Sequence, residues 1–151
     1  MKYLLNLLLL SFFLFTCFYT HAQNKSGNVW CFGWQNQLNF NTGTLAYLAI
    51  SLFNNDGGSA SVADSATGNL LFSTDGVNVW DRTGAQMPFN ISSLGAPQPS
   101  FWAPLPALIV PMPGQSKKYY IFTTGAKLSY TVIDMALRGG LGDVSGYRHT
   151  L

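Results

Sequence analysis

The chain has 151 residues and a formal charge of only +2, and all six of its acidic residues are Asp. A balance so close to neutral excludes the basic footprint that nucleic acid or an anionic membrane surface requires. Glu is absent, Lys and Arg are scarce, and Gly, Asn, Ser, Thr and the aromatic residues abound; strand and turn formers therefore replace helix formers, which argues against a helical domain.

Residues 1–22 fall into three parts. Lys2 supplies a positive charge, 4–15 form an almost unbroken apolar run, and Thr20-His21-Ala22 places small residues just before Gln23. This is the layout of a secretory signal peptide, a short helix cleaved between Ala22 and Gln23. Its apolar run is about a dozen residues, short of the roughly 20 that a membrane-spanning helix needs. Lipid attachment at Cys17 is disfavoured by the bulky Phe15 just upstream. Cleavage leaves 23–151 as one modest domain with its own core, secreted or held at the cell surface, that meets the membrane only through its leader. Cys31 is then the sole cysteine, so neither a disulfide framework nor a multi-cysteine metal site can form. Flanked by Trp30 and Phe32, it reads as a small buried hydrophobe.

Short strands separated by turn signals follow. Residues 29–33 (VWCFG) read as a first strand and 37–40 as a second, closed by the turn at 41–43. The stretch 45–53 (LAYLAISLF) has no cap and no polar face, and reads as a strand or an irregular packed segment. An emphatic turn (NNDGG) occupies 54–58. Residues 60–63, 70–74 and 77–80 make an antiparallel meander, with Asp75-Gly76 as a hairpin turn. Residues 87–106 hold five of the seven prolines and form a long loop, a place where function often resides. A second meander follows from 107–110, 118–124 and 128–134, with the basic pair Lys117-Lys118 in a solvated turn and a glycine-rich turn at 139–143.

The expected fold class is all-β: antiparallel meanders forming about two blades of an incomplete β-propeller-like fold, preceded by the signal-peptide helix. A small sheet that is apolar on both faces needs neighbours stacked on it. With no closing strand foreseen at 148–151, the chain is expected to be part of a larger protein. The open edges of two lone sheets predispose it to self-association.

Catalytic parts are few. His149 is the only histidine after the leader and lies near the chain end, where backbones fray, so a Ser-His-Asp or Cys-His arrangement lacks a firm base. One Cys and one His fall short of a zinc site, and no cofactor is expected. Asp64, Asp75, Asp81, Asp134 and Asp143 are the candidates for glycosidase chemistry, but each sits in a turn or at a strand exit, where carboxylates accept backbone N–H groups. Residues 73–80 approach the sialidase Asp-box but are one residue short of it. Asn54-Asn55-Asp56 and the pair Asp64/Asn69 gather oxygens of the kind calcium takes, without EF-hand spacing. The remaining handles are Tyr47, Phe101 and Trp102, aromatics in or near loops that are able to contact sugars or proteins. The strand aromatics Phe72, Trp80, Tyr120 and Phe122 are expected in the core.

Several runs carry a family likeness: 29–33 (VWCFG), 38–43 (LNFNTG), 68–82 (GNLLFSTDGVNVWDR), 109–114 (IVPMPG), 119–123 (YYIFT), 128–135 (LSYTVIDM) and 138–144 (RGGLGDV). Across roughly 28–144 the chain resembles the N-terminal region of large secreted surface proteins of Bacteroidetes. Those proteins carry propeller-like and PKD-type repeats and a gliding-motility-associated (type IX secretion) C-terminal sorting domain. The resemblance implies a propeller-like module in an exported protein and no particular chemistry. Asp64-Ser65-Ala66 is similar to the O-glycosylation acceptor pattern of that phylum, which marks Ser65. The expected function is a non-catalytic cell-surface, adhesion or interaction module that contacts polysaccharide or a surface protein. The alternatives are a fragment of a secreted carbohydrate-active hydrolase and a truncated product without independent function.

Overall fold

The computed structural model describes residues 24–54, 58–88, 107–124, 127–146 and 149–151. The expected leader with its expected cleavage site at Ala22 and Gln23, and the residues Asp56, Phe101 and Trp102, lie outside the described residues.

The described chain is three antiparallel sheets. Sheet I contains β1 (Val29–Phe32), β2 (Trp34–Asn39) and β3 (Ala46–Asn54) in that order. Sheet II contains β4 (Ala60–Ala63), β5 (Leu70–Thr74) and β6 (Val79–Asp81). Sheet III runs from β7 (Ala107–Pro111) through β8 (Lys118–Thr124) to β9 (Leu128–Asp134), and β9 also pairs with β10 (Asp143–Val144) and β11 (His149–Thr150). One 3-10 turn, Arg138–Gly140, is the only helical element among the described residues.

Sheet II is the middle layer. Val62, Phe72 and Val79 pack against Ile121, Ile133 and Ile109 of sheet III, with Met87, Met135 and Val144 filling the gaps. On the opposite side, Ala63, Leu70 and Trp80 pack against Val29 and Cys31 of sheet I. Consecutive residues Phe72, Ser73 and Thr74 are all buried, as are Val79, Trp80 and Asp81. A strand buried on successive positions has both of its faces covered.

Side-chain hydroxyls join sheets I and II. The Ser61 hydroxyl accepts from the Cys31 amide (3.1 Å) and donates to the Val29 carbonyl (2.8 Å), and the Ser59 hydroxyl donates to the Cys31 carbonyl (3.0 Å). The free edge of β1 is thus satisfied without a backbone ladder. A second link runs through Asn41, whose amide donates to the Gly68 carbonyl (2.8 Å) and accepts from the Asn28 amide group (3.0 Å). Gly68 lies at φ +78°, and a Cβ there would stand 1.9 Å from the Asn41 oxygen, so only glycine fits.

Several expectations need correction. The described chain holds three sheets rather than two, because Ala46–Asn54 is a full strand that pairs with β2 and completes a sheet of its own. A closing strand does exist: β11 pairs with β9 through His149↔Tyr130 and Thr150↔Ser129. His149 is therefore held in a ladder, its ring stacked on Tyr130 at 4.8 Å and 18°. The strand expected at 77–80 begins only at Val79, because the Asp75 carboxylate accepts from the amides of Val77 (2.8 Å) and Asn78 (2.6 Å) and folds both residues into the turn. Tyr47 is the second residue of β3, next to the turn that precedes it. Phe72 and Trp80 are buried as expected, whereas Tyr120 and Phe122 point away from the core and are only half-buried. Lys118 opens β8, at the start of the strand expected over 118–124, and pairs with Asp134 at 3.5 Å.

Candidate functional site: two exposed aromatic flanks

In β1, Val29 and Cys31 face inward, so Trp30 and Phe32 face out. The register places Trp30 opposite Leu38, and Leu38 opposite Tyr47, in one row across sheet I. Trp30 is 54% exposed and Tyr47 59%, with Phe40, Leu45 and Phe32 exposed beside them. Neither large ring is loose. The Trp30 indole donates to the Gly27 carbonyl (2.8 Å) and meets Phe40 edge-on at 5.2 Å. The Tyr47 hydroxyl donates to the Asn36 side-chain oxygen (2.8 Å). Rings exposed to water yet fixed in orientation have already lost most of the rotamer entropy that a contact would take from them.

A second row crosses sheet III. Leu108 pairs with Phe122, Phe122 with Tyr130, and Tyr130 with His149. Ile121, Ile133 and Thr131 are the buried alternates, so this row also faces away from the core. Leu108 is 60% exposed. Tyr120 closes the cluster, edge-on to Tyr130 at 5.5 Å. Of the nine large apolar side chains exposed among the described residues, seven lie on these two flanks; Leu137 and Leu151 are the others. Isolated exposed apolar residues need no explanation, whereas clustering of this kind is uncommon on the surface of a monomeric protein.

Residues of β1, of β4 with Ser59 just before it, and of β7 line a groove of about 510 Å³, among them Trp30, Phe32, Ser61 and Leu108. Its size is in the range of ligand pockets, but none of its lining residues is charged, and both serine hydroxyls donate to β1 carbonyls.

Each described carboxylate accepts from neighbouring backbone or side-chain donors, most of them in turns. The Asp64 oxygen accepts from the Thr67 amide (2.7 Å), the Thr67 hydroxyl (2.9 Å) and the Ala66 amide (3.1 Å), with Thr67 chiefly holding its pKa below the ordinary value. Asp134 accepts from Ala136 and Asp143 from Val144, each at 2.8 Å. Ser65 lies exposed on the Asp64 turn. Asp81 differs in being fully buried: its carboxylate accepts from the Thr83 hydroxyl (2.5 Å) and amide (2.9 Å), and from Arg138 at 3.0 Å. Arg138 sits at φ +50° and also donates to the Gly142 carbonyl (3.2 Å), while Arg82 donates to the Gly140 carbonyl. Desolvation opposes the charge on Asp81, but the Thr83 contacts and then Arg138 outweigh it and hold the pKa below its ordinary value. This cluster clasps the end of sheet II to the turn after β9.

Comparison of the chain with family models, with curated proteins and with solved structures finds no match. Of the sequence-predicted contact residues, Tyr47 is placed on an exposed flank, and it is joined there by Trp30 and Phe40, which sequence reasoning missed. The signal was ambiguous: in VWCF every residue is apolar, so alternation alone does not tell which pair faces out.

Proposed function

We propose that this protein is an exported, non-catalytic interaction module of the cell surface, built as part of a propeller-like scaffold and acting through apolar surface contact. The observation that carries this reading is the pair of over-half-exposed rings, Trp30 and Tyr47, each fixed by a hydrogen bond. The middle sheet, covered on both faces, supports a blade-like stacking of the three sheets. The resemblance to the N-terminal regions of gliding-motility-associated surface proteins, and the signal-peptide pattern of 1–22, support export. The employment of the described carboxylates in turns favours a scaffold over a hydrolase.

The test is to incubate the exported chain with a panel of polysaccharides and surface-protein extracts, and separately with chromogenic glycosidase and esterase substrates. Contact without turnover is the expected result, lost when Trp30 and Tyr47 are both changed to Ala. Turnover that survives purification to homogeneity would refute the reading.

A further inference from the structure

Among the described residues, two that are not glycine hold a left-handed backbone, and one of them is Arg138, at φ +50°. Gly139, Gly140 and Gly142 follow it at φ +66°, +91° and +81°. Glycine takes that region freely, but an arginine there is strained and stays only while its surroundings hold it. The turn has little apolar packing to do so. Ala136, Leu137 and Gly139 are exposed, and Arg138, Gly140 and Leu141 are only half-buried. Its amide bonds are internal: Gly140 and Gly142 donate to the Leu137 carbonyl (3.0 and 3.1 Å), and Leu141 to the Arg138 carbonyl (3.3 Å).

What ties this turn to sheet II is polar. The Arg138 guanidinium reaches the fully buried Asp81 carboxylate at 3.0 Å, and Arg82 donates to the Gly140 carbonyl. The core beneath is a separate contact, in which Phe72 and Val79 meet Ile121 and Ile133. Segments with few buried apolar contacts open at lower free energy than the packed strands that carry them. We propose that the Asp81–Arg138 pair is the catch of an acid-released strap. When the carboxylate loses its charge, the turn at 136–141 relaxes and comes away from the end of sheet II, while the core between sheets II and III stays closed.

The other charged groups around the turn are placed differently. Asp134 and Asp143 stand on either side of it and accept from the Ala136 and Val144 amides, and Lys118 pairs with Asp134. Of the described carboxylates, Asp81 alone joins the turn to sheet II. Against its desolvation, Thr83 and then Arg138 keep the Asp81 pKa below its ordinary value. The catch therefore holds above about pH 3.9 and releases as pH falls through the lower folded value.

The test is hydrogen exchange of the chain from about pH 7 to about pH 3, corrected for the intrinsic rate at each pH, for wild type, Asp81→Asn and Asp134→Asn. In wild type the Gly140, Leu141 and Gly142 amides should lose protection as pH falls, while those of β8, a strand paired on both sides, keep theirs. Asp81→Asn should open the same turn at neutral pH, its amides exchanging on the order of tenfold faster, because a charge-assisted bond is roughly twice as strong as a neutral one. Asp134→Asn should still open with acid as wild type does. Turn amides that stay protected in acid, or that exchange only together with those of β8, overturn the proposal. An acid opening that survives Asp81→Asn, or that Asp134→Asn abolishes, also overturns it, since another carboxylate would then be the trigger. Should Asp81→Asn fail to fold, the wild-type and Asp134→Asn series decide by the same readings.

Discussion

Cys31, Asp81 and Thr131 each hold a polar or reactive group in the interior, and the surroundings treat each differently. Burial pushes the Cys31 thiol above its ordinary pKa, against smaller opposing contributions from Ser73 and Ser61. The thiolate is the reactive form, so a folded chain of residues 23–151, whose one cysteine is Cys31, should leave a thiol-specific chromogen unreacted at mildly alkaline pH and react fully once denaturant is added. Asp81 is buried as an anion and depends on its partners. Changing Arg138 to Met leaves that charge uncompensated and should cost about 3 kcal/mol, read from denaturant midpoints. Because the folded pKa of Asp81 lies below its ordinary value, its contribution is complete above about pH 3.9 and is lost as pH falls through the lower folded value. Asp81→Asn should therefore flatten the fall in stability below pH 4 while lowering stability at neutral pH. Thr131 is the converse case. Its hydroxyl is buried among the described residues with no hydrogen-bond partner, so Thr131→Val should be neutral or stabilise by up to about 1 kcal/mol.

At the level of elements, the links between sheets I and II are short and specific. Ser61→Ala removes both hydroxyl bonds to β1 and strands the Cys31 amide, for an expected loss of about 1–3 kcal/mol. Gly68→Ala meets both an unfavourable φ and the Asn41 side chain, and should cost about 2 kcal/mol or more; chemical denaturation measures each. Most of the strands were legible from sequence, because turn chemistry punctuates them: Asp64, Asp75 and the glycines at 68 and 76 mark reversals whose geometry depends on local bonds. The stretch 45–53 was less legible, since its apolar residues follow no period that separates strand from packed coil. The last strand escaped notice because a two-residue pairing to β9 leaves no pattern in the sequence; it depends on a partner twenty residues upstream. The same blindness affected the flanks. Alternation shows that Trp30 and Cys31 face opposite ways, and that Phe122 and Ile121 do, but with apolar residues on both sides only the tertiary packing decides which side is covered.

For the described molecule as a whole, the stacking of three sheets buries both faces of the middle one, and among the described residues nothing covers the outer face of either end sheet. Exposed rings there raise the free energy of the isolated chain in water, and covering them with a partner recovers that cost. The account therefore predicts that function follows the flanks and not the groove or the carboxylates. Hydroxyl-radical footprinting of the chain across a dilution series tests this most directly. Phe72 and Trp80 should be protected at every concentration, while Trp30, Tyr47 and Phe122 should be modified when dilute and become protected as association proceeds. Trp30 and Tyr47 as shielded as Phe72 in the dilute monomer, or equally modified at all concentrations with every partner tried, would contradict the account.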